Sequence, residues 1–348
     1  MLTLDNCHAL DSDNMLDKLI RFPDFLEEAH KLASQISLPA LKSTPRTLII
    51  CGMGGSAIGA ELLRGFLSKD LPCPIVVIRE PRIPGFASPQ DLCIVCSYSG
   101  NTEETCHAML EAAGKNIPVI AMSTGGKMQK LAEREQLSFV QMPGTLKPRV
   151  ALPTMFMYFW HVLDRCGLCT FSDDTLHSLL SHLHDIIPAY GAVNGMNPAL
   201  ELAERLQGTL PIIYSTASHL HPVAVRWKNQ FCENAKQFSY VQAFPELMHN
   251  EVMGWELENP LHKHCRIVLL RDSALEPVSL SSIISVTRRQ LNAKSSGIEE
   301  YSTSGESLLS RIFSLVIFGD FVSYYLAILN GIDPTPIGLI DSIKASRQ

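Results

Sequence analysis

Short, continuous apolar runs alternate with helix-forming stretches in two separate parts of this chain, and that alternation limits its fold more than any other feature. "TLIIC", "PIVVIRE", "DLCIVCSYS", "PVIAMST" and "SFVQMP" each read as a strand. Between them lie the helical stretches "SAIGAELLRGFLSK", "TEETCHAMLEAAGKN" and "KMQKLAERE". A strand without polar alternation is buried on both faces, the condition of a parallel sheet covered by helices on either side. Helical segments follow from "TMFMYFWHVLDRCG" to "ELAERLQG". The alternation then restarts with the strand "LPIIYS", a helix over 220–236, a helix at "MHNEVMGWE" and the strand "CRIVLLRD". The helix "LSSIISVTRRQLNAK", the strand "GIEEYS" and a long helix over 305–330 complete it. The reading is α/β, with two subdomains, each a mostly parallel sheet flanked by helices. A helical segment over 1–40 precedes the first subdomain at 41–155. A helical connection fills 156–200, and the second subdomain, with a C-terminal helix, spans 201–348.

At 348 residues the chain is long enough to bury two such cores. Its net charge of -6, with no block of Lys or Arg, argues against a nucleic-acid partner. The opening "MLTLDNCHALDSDNML" carries early acidic residues and no apolar signal-peptide core, so a cytosolic protein is expected. The run "IFSLVIFGDFVSYYLAIL" has the length of a membrane span, but Ser314, Asp320 and Ser323 interrupt it. A helix buried between other helices is expected there, and no membrane partner. Ten cysteines without a secretion signal suggest a reducing compartment. Cys93 with Cys96, and Cys166 with Cys169 near His161, have C-x-x-C spacing. Neither has a second pair at zinc-site distance, so ordinary thiols and no metal are expected.

Two loops carry the chemistry. In "CGMGGSAIGAELLRG" a glycine-rich turn leaves a strand and opens a helix, presenting backbone N–H groups at a positive dipole end that suits an anion. It matches neither G-x-G-x-x-G in register nor a Walker loop, which points to a phosphate on a small ligand. A tight structural turn would explain the glycines equally well. The second loop, "SYSGNTEET", places Ser97, Ser99, Asn101 and Thr102 at the next helix start, with Glu104 three residues after Asn101 as in a capping box. Capping needs one such residue, and three hydroxyls exceed that. In an open parallel sheet both loops lie at the carboxyl ends of strands, where ligands bind.

"GMGGSAIG" together with "SYSGNTEET" resembles the sugar isomerase (SIS) domain. The run "WKNQFCENAKQFSYVQAFPELMHNEVMGWE" resembles the bifunctional phosphoglucose/phosphomannose isomerase family, and the likeness extends from about residue 47 to the end. That resemblance implies two SIS subdomains, a homodimer, a hexose 6-phosphate substrate and no metal or organic cofactor. It implies that Gly54, Gly55, Ser56, Ser97, Ser99 and Thr102 hold the sugar phosphate. Glu233 of "ENAK" would be the base, Arg149 of "KPRVALP" the active-site arginine, and His249 of "HNE" the ring-opening group supplied by the neighbouring subunit. Lys344 would match the family's ring-opening lysine, and Thr335 would sit near C2 of the sugar. Ala60-Glu61 departs from the Gly-Asp frequent in relatives, past the phosphate turn.

The residues themselves are compatible with this. On a helix over 223–236, Val223, Trp227 and Phe231 form an apolar stripe, while Arg226, Asn229, Gln230 and Glu233 share another face. A solvated face is the ordinary account of that second stripe. Aldose–ketose isomerisation needs a base that moves a proton between C2 and C1, and a guanidinium would stabilise the enediolate between those steps. A histidine near neutrality can protonate the ring oxygen. His219 and His221 of "SHLHP" compete with His249 for that part, and Glu246 and Glu251 either orient His249 or cap helices. Two other functions remain open from the sequence: a non-catalytic SIS-type sugar-phosphate sensor and an aminosugar-phosphate isomerase.

Overall fold

The computed structural model describes residues 4–193 and 196–346. In chain order the helices and strands are α1 (Leu4–Leu10), α2 (Met15–Ile20), α3 (Phe22–Ala33), β1 (Leu48–Gly52), α4 (Gly54–Leu67), β2 (Ile75–Ile78), β3 (Leu92–Cys96) and α5 (Glu103–Gly114). Then come β4 (Val119–Ser123), α6 (Gly126–Arg134), β5 (Ser138–Gln141), α7 (Leu152–Arg165), α8 (Asp173–Gly191) and α9 (Pro198–Leu206). The remainder is β6 (Leu210–Ser215), α10 (His221–Glu233), β7 (Tyr240–Ala243), β8 (Cys265–Arg271), α11 (Val278–Asn292), β9 (Ile298–Ser302), α12 (Leu308–Leu329) and α13 (Gly338–Ala345). The chain divides into two compact units: unit I is Phe22–Leu176, and unit II joins the residues up to Arg21 to those from His177 onward.

Unit I is built on a five-stranded parallel sheet of order β2-β1-β3-β4-β5. Every residue of β1, β3 and β4 is buried, as their continuous apolar runs require. One core gathers Cys51, Val95 and Ala121 from the strands with Cys106, Met109 and Met128 from α5 and α6. Helix α7, which packs on α3 and α4, is buried along nearly its whole length, with Trp160 and Phe156 in edge contact.

Unit II has a four-stranded parallel sheet of order β7-β6-β8-β9. Its core joins Tyr214, Ile267 and Leu269 to Ile284 and Leu291 of α11. Helix α12 is long and apolar enough to cross a membrane, yet 94% of its apolar window is buried inside the structure. The polar interruption Asp320 explains how. It is buried and takes the Arg226 guanidinium in two bonds, of 2.6 and 2.9 Å, with a third of 3.1 Å from Gln230. Burial pushes its carboxyl up while Arg226 opposes that shift.

Three expectations change here. Arg226 and Gln230 belong to no solvated face, because both are buried against α12. The stretch "MHNEVMGWE" forms two 3-10 turns, Glu246–His249 and Glu251–Trp255, in place of one helix. Asn250 divides them: its backbone leaves the helical region and its side chain accepts from the Glu251 N–H at 2.6 Å. Asn101 does not cap α5; the N-cap is Thr102, which makes no side-chain cap bond. The ten thiols are all free, with the Cys51 and Cys93 sulfurs 3.9 Å apart. Near Cys166 and Cys169, His161 turns its Nε2 to His30 Nδ1 at 3.1 Å.

Both sheets reverse their winding direction beside their first strand, between β1 and β3 in unit I and between β6 and β8 in unit II. A crevice opens at the carboxyl edge of such a switch point, and ligands of doubly wound sheets collect there.

Candidate functional site

In unit I the switch point carries both loops singled out by the sequence. Met53, an extended residue that cannot cap, leads from β1 into α4, and Gly54 follows at φ 51°. Gly55 is fixed by a close approach: a Cβ there would lie 3.0 Å from the Pro148 carbonyl oxygen. That contact brings the turn bearing Arg149, itself buried, against the start of α4. Ser56 is buried, and its hydroxyl donates inward to Met155 Sδ at 3.4 Å. The departure at Ala60-Glu61 is accommodated locally, since Glu61 pairs with Arg64 at 2.6 Å and Arg79 at 3.1 Å.

The loop after β3 lies on the adjacent strand. Ser97 is buried and its hydroxyl donates to Thr102 Oγ1 at 2.9 Å; Ser99 is exposed. Gly100 permits the turn, because a Cβ on it would stand 1.8 Å from the Gly125 carbonyl oxygen. Asn101 spans to the next helix instead, accepting from the Lys127 N–H at 3.1 Å. Tyr98 ties the loop to the arginine-bearing turn: its hydroxyl donates to the Pro143 carbonyl at 3.0 Å and accepts from the Leu146 N–H at 3.3 Å. The sequence reading passed over Tyr98, although an aromatic ring set between two serines was the available signal. Helices α4 and α5 thus both start at the switch point without a side-chain cap. Their first-turn amides and positive dipole ends make that edge of unit I able to take an anion.

Unit II holds the remaining residues. Glu233 is the last residue of α10 and is half-buried. The stripe Val223, Trp227 and Phe231 is fully buried, and the Trp227 indole N–H donates to the Leu315 carbonyl at 2.7 Å. With the Arg226–Asp320 pair, this fixes the rotation of α10 against α12. The turn after α10 carries Lys236, whose ammonium donates to the Glu233 carbonyl at 2.6 Å and the Pro336 carbonyl at 2.7 Å. The structure therefore joins the end of α10 to the segment containing Thr335, which is buried.

His249 ends its 3-10 turn exposed, after the cis Phe244–Pro245 bond. Glu251 is engaged by the hydroxyls of Tyr214 and Tyr240, and Glu246 accepts from Asn250 at 2.8 Å, so both carboxylates are held by partners other than His249. Lys344 is exposed on α13, a helix with no buried residue. The competing His219 is tied into the core: its Nε2 lies 2.8 Å from Asp272 Oδ2, which also accepts from Arg311 Nε at 3.2 Å. Among the described residues, no group of three or more His, Cys, Asp or Glu could hold a metal ion.

The chain is similar to known proteins along most of its length. The family described as bacterial phospho-glucose isomerase C-terminal SIS domain matches residues 195–346. The bifunctional phosphoglucose/phosphomannose isomerase of Caldicellulosiruptor bescii is 34% identical over 95% of this chain and 98% of its own length. The protein of the same description from Aquifex aeolicus is 32% identical over 85% of this chain and 89% of its own. The C-terminal domain of glucosamine-fructose-6-phosphate aminotransferase from Francisella tularensis shares the fold, with a TM-score of 0.67 at 14% identity, covering 92% of this chain and 98% of that one. With such identity along nearly its full length, the chain belongs to the bifunctional phosphoglucose/phosphomannose isomerase family.

Proposed function

We propose that this protein interconverts glucose 6-phosphate and fructose 6-phosphate, and mannose 6-phosphate and fructose 6-phosphate, by proton transfer through a cis-enediolate. The observation that carries the reading is the pair of uncapped helix starts, α4 and α5, on adjacent strands of unit I. Together with the family, it favours a phosphate anchored there by Gly54, Gly55, Ser56, Ser97, Ser99 and Thr102. Ser56 would serve through the turn it shapes, since its hydroxyl points to Met155.

Glu233 takes the C2 proton of the aldose and returns it to C1, while the hydroxyl proton passes from O2 to O1, which leaves the ketose. The intermediate carries negative charge on oxygen, and the Arg149 guanidinium lowers its energy. His249, from the neighbouring copy in a homodimer, and Lys344 exchange protons with the ring oxygen and O1 during opening. Thr335 lies near C2, where the two epimers differ. The phosphate supplies binding energy common to all three sugars, which suits an enzyme tolerant at C2. We place the enzyme in the cytosol.

A coupled assay with fructose 6-phosphate, in EDTA, should yield both glucose 6-phosphate and mannose 6-phosphate. Glu233→Gln should reduce kcat by about a thousandfold or more while sugar phosphate still binds. Near-normal turnover in that variant would remove Glu233 from the mechanism. Binding of fructose 6-phosphate with no product from the unaltered protein would make it a sensor.

A further inference from the structure

Four residues other than glycine have a positive φ among the described residues: Asn14, Asn116, Gln136 and Lys236. The first three carry amide side chains. Lys236 is the exception, at φ 54°, three positions after α10 ends at Glu233. Glycine or asparagine usually occupies the left-handed position that ends a helix, and another residue there costs about 1 kcal/mol. Lys236 is exposed, so burial of its stem does not account for its presence.

Its ammonium group does. Nζ donates to the carbonyls of Glu233 at 2.6 Å and Pro336 at 2.7 Å, and it lies 3.4 Å from that of Asn234. A cation suits the negative end of the helix. Of these three contacts, the one to Pro336 is unrelated to capping, because that residue lies 100 positions further along the chain. Pro336 adjoins Thr335, whose N–H donates to Asp333 Oδ1 at 2.9 Å, and it precedes α13 with Lys344. A second tie runs from Asn330 Nδ2 to the Ala235 carbonyl at 3.2 Å.

We infer that Lys236 is a positioning residue: it locks the backbone of Glu233 to the 333–337 segment, so that the carboxylate and the C-terminal residues keep one geometry. The inference rests on the reading of Glu233 as base. Misplacing a reacting group by about 1 Å lowers the rate while the remote phosphate contacts keep their affinity.

The test compares Lys236→Gly, Lys236→Met, Lys236→Arg and Glu233→Gln. Lys236→Gly suits the left-handed backbone, so its Tm should equal or exceed that of the parent. Its kcat should nevertheless fall about tenfold or more with KM changed by less than about twofold. Lys236→Met should behave alike in kcat, and Lys236→Arg, which keeps the cation, should recover most of the loss. Amide exchange should quicken over 334–346 in Lys236→Gly and stay unchanged over 221–230. Unchanged kcat or unchanged exchange over 334–346 overturns the inference, and so does a Tm loss that tracks the loss of kcat. Turnover surviving in Glu233→Gln would instead overturn the base assignment.

Discussion

The two sheets of this protein share a strand order around the switch point, and the helices opened there lack side-chain caps in both, but the loops at the edge where a ligand would sit differ. In unit I, the loops after β1 and β3 are built of glycine and small hydroxyls, and the helices they open are uncapped. In unit II, the loops after β6 and β8 are filled by the chain's own charges. His219 and Arg311 converge on Asp272, while Arg271 and Thr216 converge on Glu276. Burial raises both carboxyls, but His219 with Arg311, and Arg271 with Thr216, outweigh it and hold them below the usual carboxylate range. A doubly wound sheet therefore offers a crevice without deciding its use. Loop residues leave one edge able to take an anion and make the other an internal ion network.

The largest effect that would separate the edges is on stability. Asp272→Asn keeps the shape but leaves the Arg311 and His219 side chains facing a neutral amide. Removing one partner of a buried pair should cost about 3 to 5 kcal/mol. Denaturant titration should show that loss, with KM for fructose 6-phosphate within about twofold of the parent. A tenfold rise in KM at unchanged stability would mean that the unit II edge also contacts substrate.

Acid should divide the units next. In unit I, His161 lies stacked on Phe171 at 4.2 Å, and burial, helped by the nearby His30, lowers its pKa to about 4. The unfolded chain takes up a proton at its ordinary value near 6.5 and the fold does so only near 4, so the unfolded state binds more protons in between. This stability is fully present above pH 6.5 and is lost as pH falls toward 4, on the order of 3 kcal/mol in all. In unit II, burial lowers the His182 pKa in the same sense, but that ring is only half-buried. The depressed carboxyls of Asp272 and Glu276 contribute above their unfolded values near 4 and fail only below them. Amide exchange between pH 7 and 5 should thus quicken first in 22–176, and His161→Phe should abolish most of that slope. Equal acceleration in both units would refute the assignment.

The fold was legible because its strands carry a signal that tertiary context rarely reverses. A run such as "TLIICG" or "LCIVCS" has no polar face to expose, and β1 and β3 indeed lie fully buried side by side. The same logic read α12 correctly as an internal helix. It misread the Arg226 stripe, because periodicity shows that residues share a face and not what that face meets; the partner, Asp320, lies 94 positions away. "MHNEVMGWE" failed for a local reason, as the Asn250 side chain competes with helical bonding. At the unit I edge, the sequence singled out Gly54, Gly55, Ser56, Ser97, Ser99 and Thr102 but passed over Gly100, which the second turn requires. It could not show that Ser56 turns inward, that Tyr98 ties down the turn before Arg149, or that Lys236 reaches Pro336, since each depends on a neighbour supplied by the fold.

The smallest of these effects bears most directly on the unit I edge. Ser97→Ala combined with Ser99→Ala leaves the glycines and both helix starts in place and removes two hydroxyls. One of them bonds Thr102; the other accepts the Asn101 N–H in a long contact of 3.3 Å. Neither bond holds the core, so the melting temperature should barely move. Loss of about two hydrogen bonds to a charged ligand should raise KM for fructose 6-phosphate about 10- to 100-fold, with kcat reduced far less. Inorganic phosphate offers the same charge without the sugar. Millimolar phosphate should raise the Tm of the parent protein and inhibit competitively, and both effects should weaken in the double variant. An unchanged KM with undiminished phosphate protection would place the anion elsewhere, and the contrast between the two edges would then be one of packing alone.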